Sequence, residues 1–187
     1  MKMRLLFPVS IACLLALGAQ RSMPYMPLHM LAVRGTDLRP GYSQTSGLAT
    51  GYLTEKFIAY QENVSVQQLQ GHGWANSYGA LYQYRQNSDI EVTNQIDEYT
   101  ARGGARWGYG VSVGNTTCCG ASYHVIAMPR VGNASTAFID RQSPHGFIGM
   151  IFEKGKYVVE LNVLPRSQRA SLLALARLIA GRIQRYG

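Results

Sequence analysis

Six strand-like segments, separated by turns and followed by a single amphipathic run, constrain the fold of this chain more than any other feature. The segments cover residues 74–85, 90–97, 121–128, 134–141, 147–153 and 156–164. Residues 90–97 alternate apolar and polar side chains, which is typical of a half-buried strand. The turn cluster 86–89 and the pair Lys154-Gly155 each lie between two such segments and predict hairpins.

The last part of the chain predicts one helix. Pro165 ends the preceding strand, and Ser167 is a candidate N-cap. Apolar residues then recur at three- and four-residue spacing, at Leu172, Leu175, Ala176, Ile179 and Ile183. Hairpins followed by a terminal helix favour an α+β fold over alternating βαβ units. We therefore expect an antiparallel sheet of about five or six strands, with short helices and the C-terminal helix covering one face.

The region before and between the strands contains weaker helix signals. Residues 54–61 are compatible with a short helix, and Ser65 with Gln68 forms a capping-box pattern that Gly71 can end. Residues 100–109 predict at most a poor helix, because glycine disfavours helix interiors and three glycines lie there. Residues 110–120 are interpreted as a loop.

Residues 1–19 have the organisation of a secretory signal peptide. Lys2 and Arg4 precede a mostly apolar run that ends in small residues. We expect the leader at 1–19 to be removed, a linker at 20–35 and a single domain at 36–187, located outside the cytoplasm or in the cell envelope. Lipid attachment at Cys13 is disfavoured, because Ser10 occupies a position where such signals usually carry leucine.

Positive charge is concentrated at the C-terminal end. The chain has a formal net charge of +8, and its last stretch holds no acid but several arginines, namely Arg166, Arg169, Arg177, Arg182 and Arg185. Two interpretations remain open, a solvated helix face or attraction to anionic lipid or polysaccharide. The export signal disfavours nucleic acid, so we expect an envelope polymer or protein partner, with membrane contact at most peripheral.

Cys118 and Cys119 are adjacent, which argues against an ordinary disulfide. Neighbouring Cα atoms are about 3.8 Å apart, below the usual disulfide range of about 4.4 to 6.8 Å. The pair is interpreted as having no structural role, as a strained reducible disulfide, or as a site of intermolecular bridging or metal capture.

Motifs of catalysis or cofactor binding are absent from the sequence. There is no Gly-x-Ser-x-Gly elbow and no phosphate loop with its Lys-Ser/Thr ending. His72, His124, His145 and Asp140 lack the spacing of metal ligands. We therefore predict no catalytic residue, no metal and no cofactor. The alternative is a small extracytoplasmic hydrolase or thiol-redox protein that uses Cys118 and Cys119.

Aromatic residues between positions 74 and 109 are the candidate ligand-binding residues. Trp74, Tyr78, Tyr82 and Tyr84 are separated by even numbers of residues, so a regular strand would place them on one face. Trp107 lies further along the chain, within residues 100–109. Aromatic residues with a polar group line ligand grooves, but they also fill cores. Both interpretations, a core face and a binding groove, remain open.

Several short patterns together resemble a family of small exported bacterial domains of uncharacterised function, with a PsbP-like α+β appearance. They cover residues 38–42, 69–73, 131–134, 152–159 and 175–183. The resemblance implies an α+β fold and an extracytoplasmic location, and it supplies no catalytic residue. We therefore expect a secreted non-catalytic binding or accessory module of the cell envelope.

Overall fold

The computed structural model describes residues 26–47, 49–118, 123–140 and 146–187. The leader at 1–19, with Cys13, lies outside these residues, as do Cys119 and His145. The helices are α1 (Leu28–Leu31), α2 (Glu55–Gln61), α3 (Val66–Gly71), α4 (Arg102–Cys118) and α5 (Arg169–Tyr186). The strands are β1 (Tyr42–Gln44), β2 (Gly51–Tyr52), β3 (Trp74–Tyr84), β4 (Asn87–Tyr99), β5 (Tyr123–Ile126), β6 (Ala134–Asp140), β7 (Ile148–Lys154) and β8 (Tyr157–Val163).

All paired strands are antiparallel, and they form one sheet in the order β1-β3-β4-β8-β7-β6-β5, with β2 also paired to β3. The α+β class is therefore confirmed. The expected five or six strands were too few, because the described sheet has eight. The additional strands β1 and β2 contain only three and two residues, which is too short for side-chain alternation to identify them.

The two predicted hairpins are present. The turn between β3 and β4 lies at residues 85–86, so residues 87–89 of the predicted turn cluster belong to β4 instead. β7 and β8 are joined at residue 155, where Gly155 has φ +63°. A positive φ favours glycine, so this residue suits the turn. At the start of β3 the register shifts between Trp74 and Asn76. Ala75 is therefore the extra residue of a bulge, which reverses the side-chain parity on either side of it.

The sheet separates two groups of packed side chains, and we name its two sides after the helices that lie there. On the α5 side, the apolar stripe of α5 packs with residues of β4, β7 and β8, including Ile96, Phe152 and Leu161. On the α4 side, Tyr99, Ile151 and Val158 pack against α4. Successive strand residues contribute to opposite sides, as the pleat requires.

The segment 20–35, expected to be a linker, takes part in this packing over its described residues 26–35. Leu28, Leu31 and Val33 are almost fully buried on the α5 side. Val33 N–H donates to Asn94 Oδ1 at 3.1 Å, and this bond connects the segment to the middle of β4. The segment lacks a clear apolar period because only four of its residues form a helix.

The short helices before the sheet have the capping patterns that the sequence suggests. At α3, Gln68 N–H donates to Ser65 Oγ, and Ser65 N–H donates to Gln68 Oε1, which confirms the capping box.

At the C-terminal helix α5 the predicted N-cap is wrong, because the N-cap is Gln168 rather than Ser167 and no side chain caps the helix.

Helix α4 is the largest departure from the sequence prediction, since it continues to Cys118 through the expected loop. Two of its glycines have a packing role, because a Cβ at Gly104 or Gly108 would clash with Tyr99. Glycine therefore lets α4 approach the sheet closely. Beyond Gly108, hydrogen bonds of Tyr109 to Thr136 and of Ser112 to Glu62 hold the helix.

Candidate functional site

Polar side chains occupy the middle of the sheet on the α4 side. In β4 these are Thr93, Gln95 and Asp97, and in β8 they are Glu160 and Asn162. The register places Gln95 opposite Glu160 and Thr93 opposite Asn162. Cross-strand partners on one face lie close together, so the two strands form a single polar surface, and Asn162 donates to Thr93 Oγ1 at 3.2 Å.

Helices α2 and α4 provide the walls over this surface. Glu62 follows the last turn of α2 and is only 8% exposed. Ser112 Oγ donates to Glu62 Oε1 at 2.9 Å, and Asn115 donates from Nδ2 to Glu62 Oε2 at 3.1 Å and to the Glu62 carbonyl oxygen at 2.7 Å. These bonds fix the Glu62 carboxylate between the two helices.

Two adjoining concavities open between the walls and the sheet, with volumes of about 230 and 240 Å³. Both are lined by Gln61 and Glu160, so we treat them as one feature and call it the acidic cleft. Its polar lining consists of Gln61, Glu62, Thr93, Asn94, Gln95, Ser112, Asn115, Thr116, Tyr123, Glu160 and Asn162. No lysine, arginine or histidine is among the described residues that line it.

Asp97 lies in the sheet next to the cleft and is 2% exposed. Ser77 Oγ donates to Asp97 Oδ1, and Gln95 Nε2 donates to Oδ2 at 3.1 Å. Trp74 Nε1 in turn donates to Ser77 Oγ at 2.9 Å. Burial raises the pKa of Asp97 to about 7, with the hydrogen bonds from Ser77 and Gln95 acting against that rise and the charge of Glu160 adding to it. A buried carboxyl without a cationic partner holds its proton more tightly than one in water.

Glu62 and Glu160 interact directly across the cleft. Burial is the main cause that raises the pKa of each carboxyl, and for Glu160 the nearby charge of Glu62 and a hydrogen bond between the two side chains raise it further. Two neighbouring carboxylates cannot both ionise easily, so each makes the loss of a proton from the other less favourable.

The two tryptophans among the predicted ligand-binding residues lie on the α4 side, away from the cleft lining. Trp74 and Trp107 both pack near α3 and α4. The Trp107 ring stacks on His72, with centroids 4.0 Å apart and an interplanar angle of 10°. The bulge at Ala75 places Trp74 here rather than on the side of Tyr78.

The three tyrosines lie along the other side of β3 and occupy separate surroundings. Tyr82 is 5% exposed and donates its hydroxyl to the Val33 carbonyl oxygen at 3.1 Å, so it is a core residue. Tyr78 contacts Tyr52 with ring centroids 5.4 Å apart. Tyr84 contacts the Tyr42 ring and lies under the Arg39 guanidinium, whose Cζ is 4.5 Å from its centroid. The structure thus does not bring the five residues into one groove, and a ligand-contacting role for them stays a prediction.

The residues of the cleft differ from the ligand-binding residues that the sequence pattern predicts. Glu62, Asp97 and Glu160 are widely separated along the chain, and only the register of β4 with β8 and the position of α2 bring them together. One signal is visible in the sequence, since Glu160 interrupts the otherwise apolar run of 157–161. Cys118, named in the enzyme alternative, is exposed at the end of α4.

Among the described residues, none of the helices combines the length and apolar character needed to span a membrane.

Comparisons with known proteins identify the fold. No family model and no curated protein matches the chain. Its fold is similar to that of the extracellular domain of PknH from Mycobacterium tuberculosis, with a TM-score of 0.59 at 10% sequence identity over 84% of this chain and 94% of that domain.

Proposed function

We propose that the protein is an extracytoplasmic, non-catalytic binding module whose acidic cleft binds a small ligand that carries an amino group. The observation that carries this proposal is that Glu62 and Glu160 line the same cleft, and that its described lining holds no basic residue. Perturbed carboxyl pKa values in a concave site are typical of functional sites. The leader pattern and the extracellular location of the PknH domain support the proposed location.

The charge of the cleft determines the ligand chemistry. Glu62, Asp97 and Glu160 all have raised pKa values, chiefly because of burial, and no cation among the described residues lines the cleft beside them. A ligand ammonium group supplies the missing positive charge and favours the ionised carboxyls. Binding therefore releases protons to the solvent, and affinity rises with pH until the carboxyls are ionised in the free protein.

The size and remaining polar groups of the cleft favour a small hydrophilic ligand. The two concavities together are at the lower end of the size range for small-molecule sites, which is about 300 to 1,000 Å³. The amide oxygens of Gln61, Gln95 and Asn115 offer further acceptors to hydroxyl groups. An amino sugar combines an ammonium group with hydroxyls and is a suitable probe, in keeping with the envelope polymer expected as a partner.

Calorimetric titration with glucosamine, and separately with glucose and N-acetylglucosamine, tests the proposal. We expect saturable binding of glucosamine alone, because the other two sugars lack the positive charge. The double variant Glu62→Gln with Glu160→Gln keeps the hydrogen-bonding shape and should abolish that binding, whereas Asp89→Asn, at an exposed hairpin position, should retain it. Equal binding of glucose would contradict the charge requirement, and chemical conversion of the probe would contradict the non-catalytic role.

A further inference from the structure

A second concavity, of about 470 Å³, lies between the α1 region and the C-terminal half of α5. Arginine and apolar side chains line it together, namely Met26, Met30, Arg34, Arg177, Leu178, Gly181, Arg182, Arg185 and Tyr186. We call this feature the arginine concavity. It lies on the α5 side of the sheet, whereas the acidic cleft lies on the α4 side.

The arginine concavity has an excess of positive charge. Of its four arginines, only Arg34 and Arg182 form an ion pair with a described residue, and both pair with the carboxylate of Asp37. Arg182 donates to both Asp37 oxygens, at 2.6 and 2.8 Å, and to the Ala32 carbonyl oxygen at 2.7 Å. This bidentate pair fixes Arg182 in the wall. Arg34 shares the same carboxylate, with 3.6 Å between Nη2 and Oδ1.

The other two arginines are available to a ligand. Arg177 and Arg185 are exposed, and neither forms an ion pair with a described residue. The Nε of Arg34 is buried and has no hydrogen-bond partner among the described residues. Helix α5 contains no acid that could neutralise these groups. The guanidinium fork matches the oxygens of a phosphate group.

Apolar side chains beside the arginines indicate an amphiphilic ligand rather than a purely ionic one. Leu178 is 40% exposed and lines the same concavity as Arg177 and Arg185. Met26, Met30 and Tyr186 contribute further apolar surface to the same concavity. A cationic face with adjacent apolar side chains is the arrangement that binds at the headgroup level of a membrane.

The first described residue of the chain also lies at this face. Met26, which lines the concavity, follows the apolar run at 5–19 by only the residues 20–25. Six residues extend at most about 20 Å. Before the leader is removed, the arginine concavity therefore lies within that distance of the membrane that holds the leader.

We propose that the arginine concavity binds the phosphate headgroup of an anionic phospholipid at a membrane surface. Arg177 and Arg185 contact the phosphate, and Leu178 with the two methionines contacts the acyl region just below it. The acidic cleft on the other side of the sheet then points away from the anionic surface. The concavity and the cleft are built from different residues, so either proposal can fail without the other.

Cosedimentation of the full chain, as isolated from its host, with vesicles tests this proposal. One set of vesicles contains phosphatidylcholine alone, and the other contains phosphatidylglycerol as well. The test variant is Arg177→Gln with Arg185→Gln. The matched control is Lys56→Gln with Arg106→Gln, which removes the same charge from exposed positions on α2 and α4. All chains share one N-terminus, so any contribution of the leader cancels between variants.

We expect binding to the phosphatidylglycerol vesicles, and a loss on the order of 30-fold in the test variant, since each basic side chain near an anionic surface contributes about fivefold. The control should change by less than about threefold. Leu178→Ser should weaken binding to the vesicles without changing net charge. Equal losses in the test and control variants would overturn the proposal, as would equal binding to both kinds of vesicle.

A competition experiment distinguishes binding to a lipid surface from binding of a soluble anion. Glycerol phosphate carries the same phosphate group without acyl chains. The proposal expects it to compete with vesicles only at concentrations far above that of the lipid phosphate. Competition at equal phosphate concentration, lost in the Arg177→Gln, Arg185→Gln variant, would overturn the membrane assignment and identify a site for a soluble phosphate ester.

Discussion

Replacing Asp97 with asparagine should change how the stability of the protein depends on pH. Asp97 is almost fully buried, and its pKa rises from 3.8 to about 7 on folding. The folded state therefore holds the proton more tightly than the unfolded state. The contribution of Asp97 to the free energy of unfolding has its full value below about pH 4 and decreases as pH rises toward 7.

The magnitude follows from the shift. One pKa unit corresponds to about 1.4 kcal/mol, so a rise from 3.8 to about 7 corresponds to a loss of roughly 4 kcal/mol of stability across that pH interval. Glu62 and Glu160 shift in the same direction and steepen the decrease. The wild-type protein should thus be more stable at mildly acidic than at neutral pH.

Asparagine preserves the shape of the site but cannot ionise. Ser77 can still donate to the side-chain oxygen, and the Gln95 amide can rotate to accept from the new amide group. Between pH 4 and pH 7, the Asp97→Asn variant should therefore lose about 3 to 4 kcal/mol less stability than the wild type loses. At neutral pH its free energy of unfolding should equal or exceed that of the wild type.

Urea denaturation at a series of pH values measures this difference. Asp89→Asn is the matched control, because Asp89 is an exposed acid in the hairpin turn region of the same strand. Its stability curve should run parallel to that of the wild type. If the Asp97→Asn curve also runs parallel to the wild type, then Asp97 is ionised in the native protein and the reasoning about its burial is refuted.

Two further predictions concern the helices. Ile179→Ala should destabilise the protein by about 2 to 5 kcal/mol, because the side chain is fully buried. Arg177→Gln, at an exposed position, should be nearly neutral in the same urea melts, and equal effects of the two variants would contradict the packing of α5. Gly108→Ala should destabilise the protein, because the added Cβ meets the Tyr99 hydroxyl. Gly110 has open space around it, so Gly110→Ala should stabilise α4 by about 0.5 to 1 kcal/mol. A stabilising effect of Gly108→Ala would show that α4 does not approach the sheet this closely.

Long periodic patterns in the sequence were sufficient to predict the main elements. The β7–β8 hairpin follows from two apolar runs around a single turn, and the buried stripe of α5 follows from its three- and four-residue spacing. Elements without a long pattern were missed. β1 and β2 are too short for a period, and the glycines of α4 disfavour a helix unless the contact with Tyr99 is known.

The candidate site depended on tertiary information that no local pattern contains. Glu62 approaches Glu160 only because α2 packs over the sheet and β8 pairs with β4. The aromatic parity argument failed for Trp74 because one inserted residue, Ala75, reverses the alternation. A bulge of this kind has no reliable sequence signature when the extra residue is an ordinary alanine.

The most direct test of the acidic cleft as an amine-binding site is an NMR titration of the side-chain carboxyl carbons of Glu62, Asp97 and Glu160, with and without glucosamine. In the free protein these carbons should titrate above the usual range for carboxyl groups, with Asp97 near pH 7. Saturating glucosamine should lower the pKa of Glu62 and Glu160. Carboxyl titrations that are the same with and without the amine would contradict the proposed cleft.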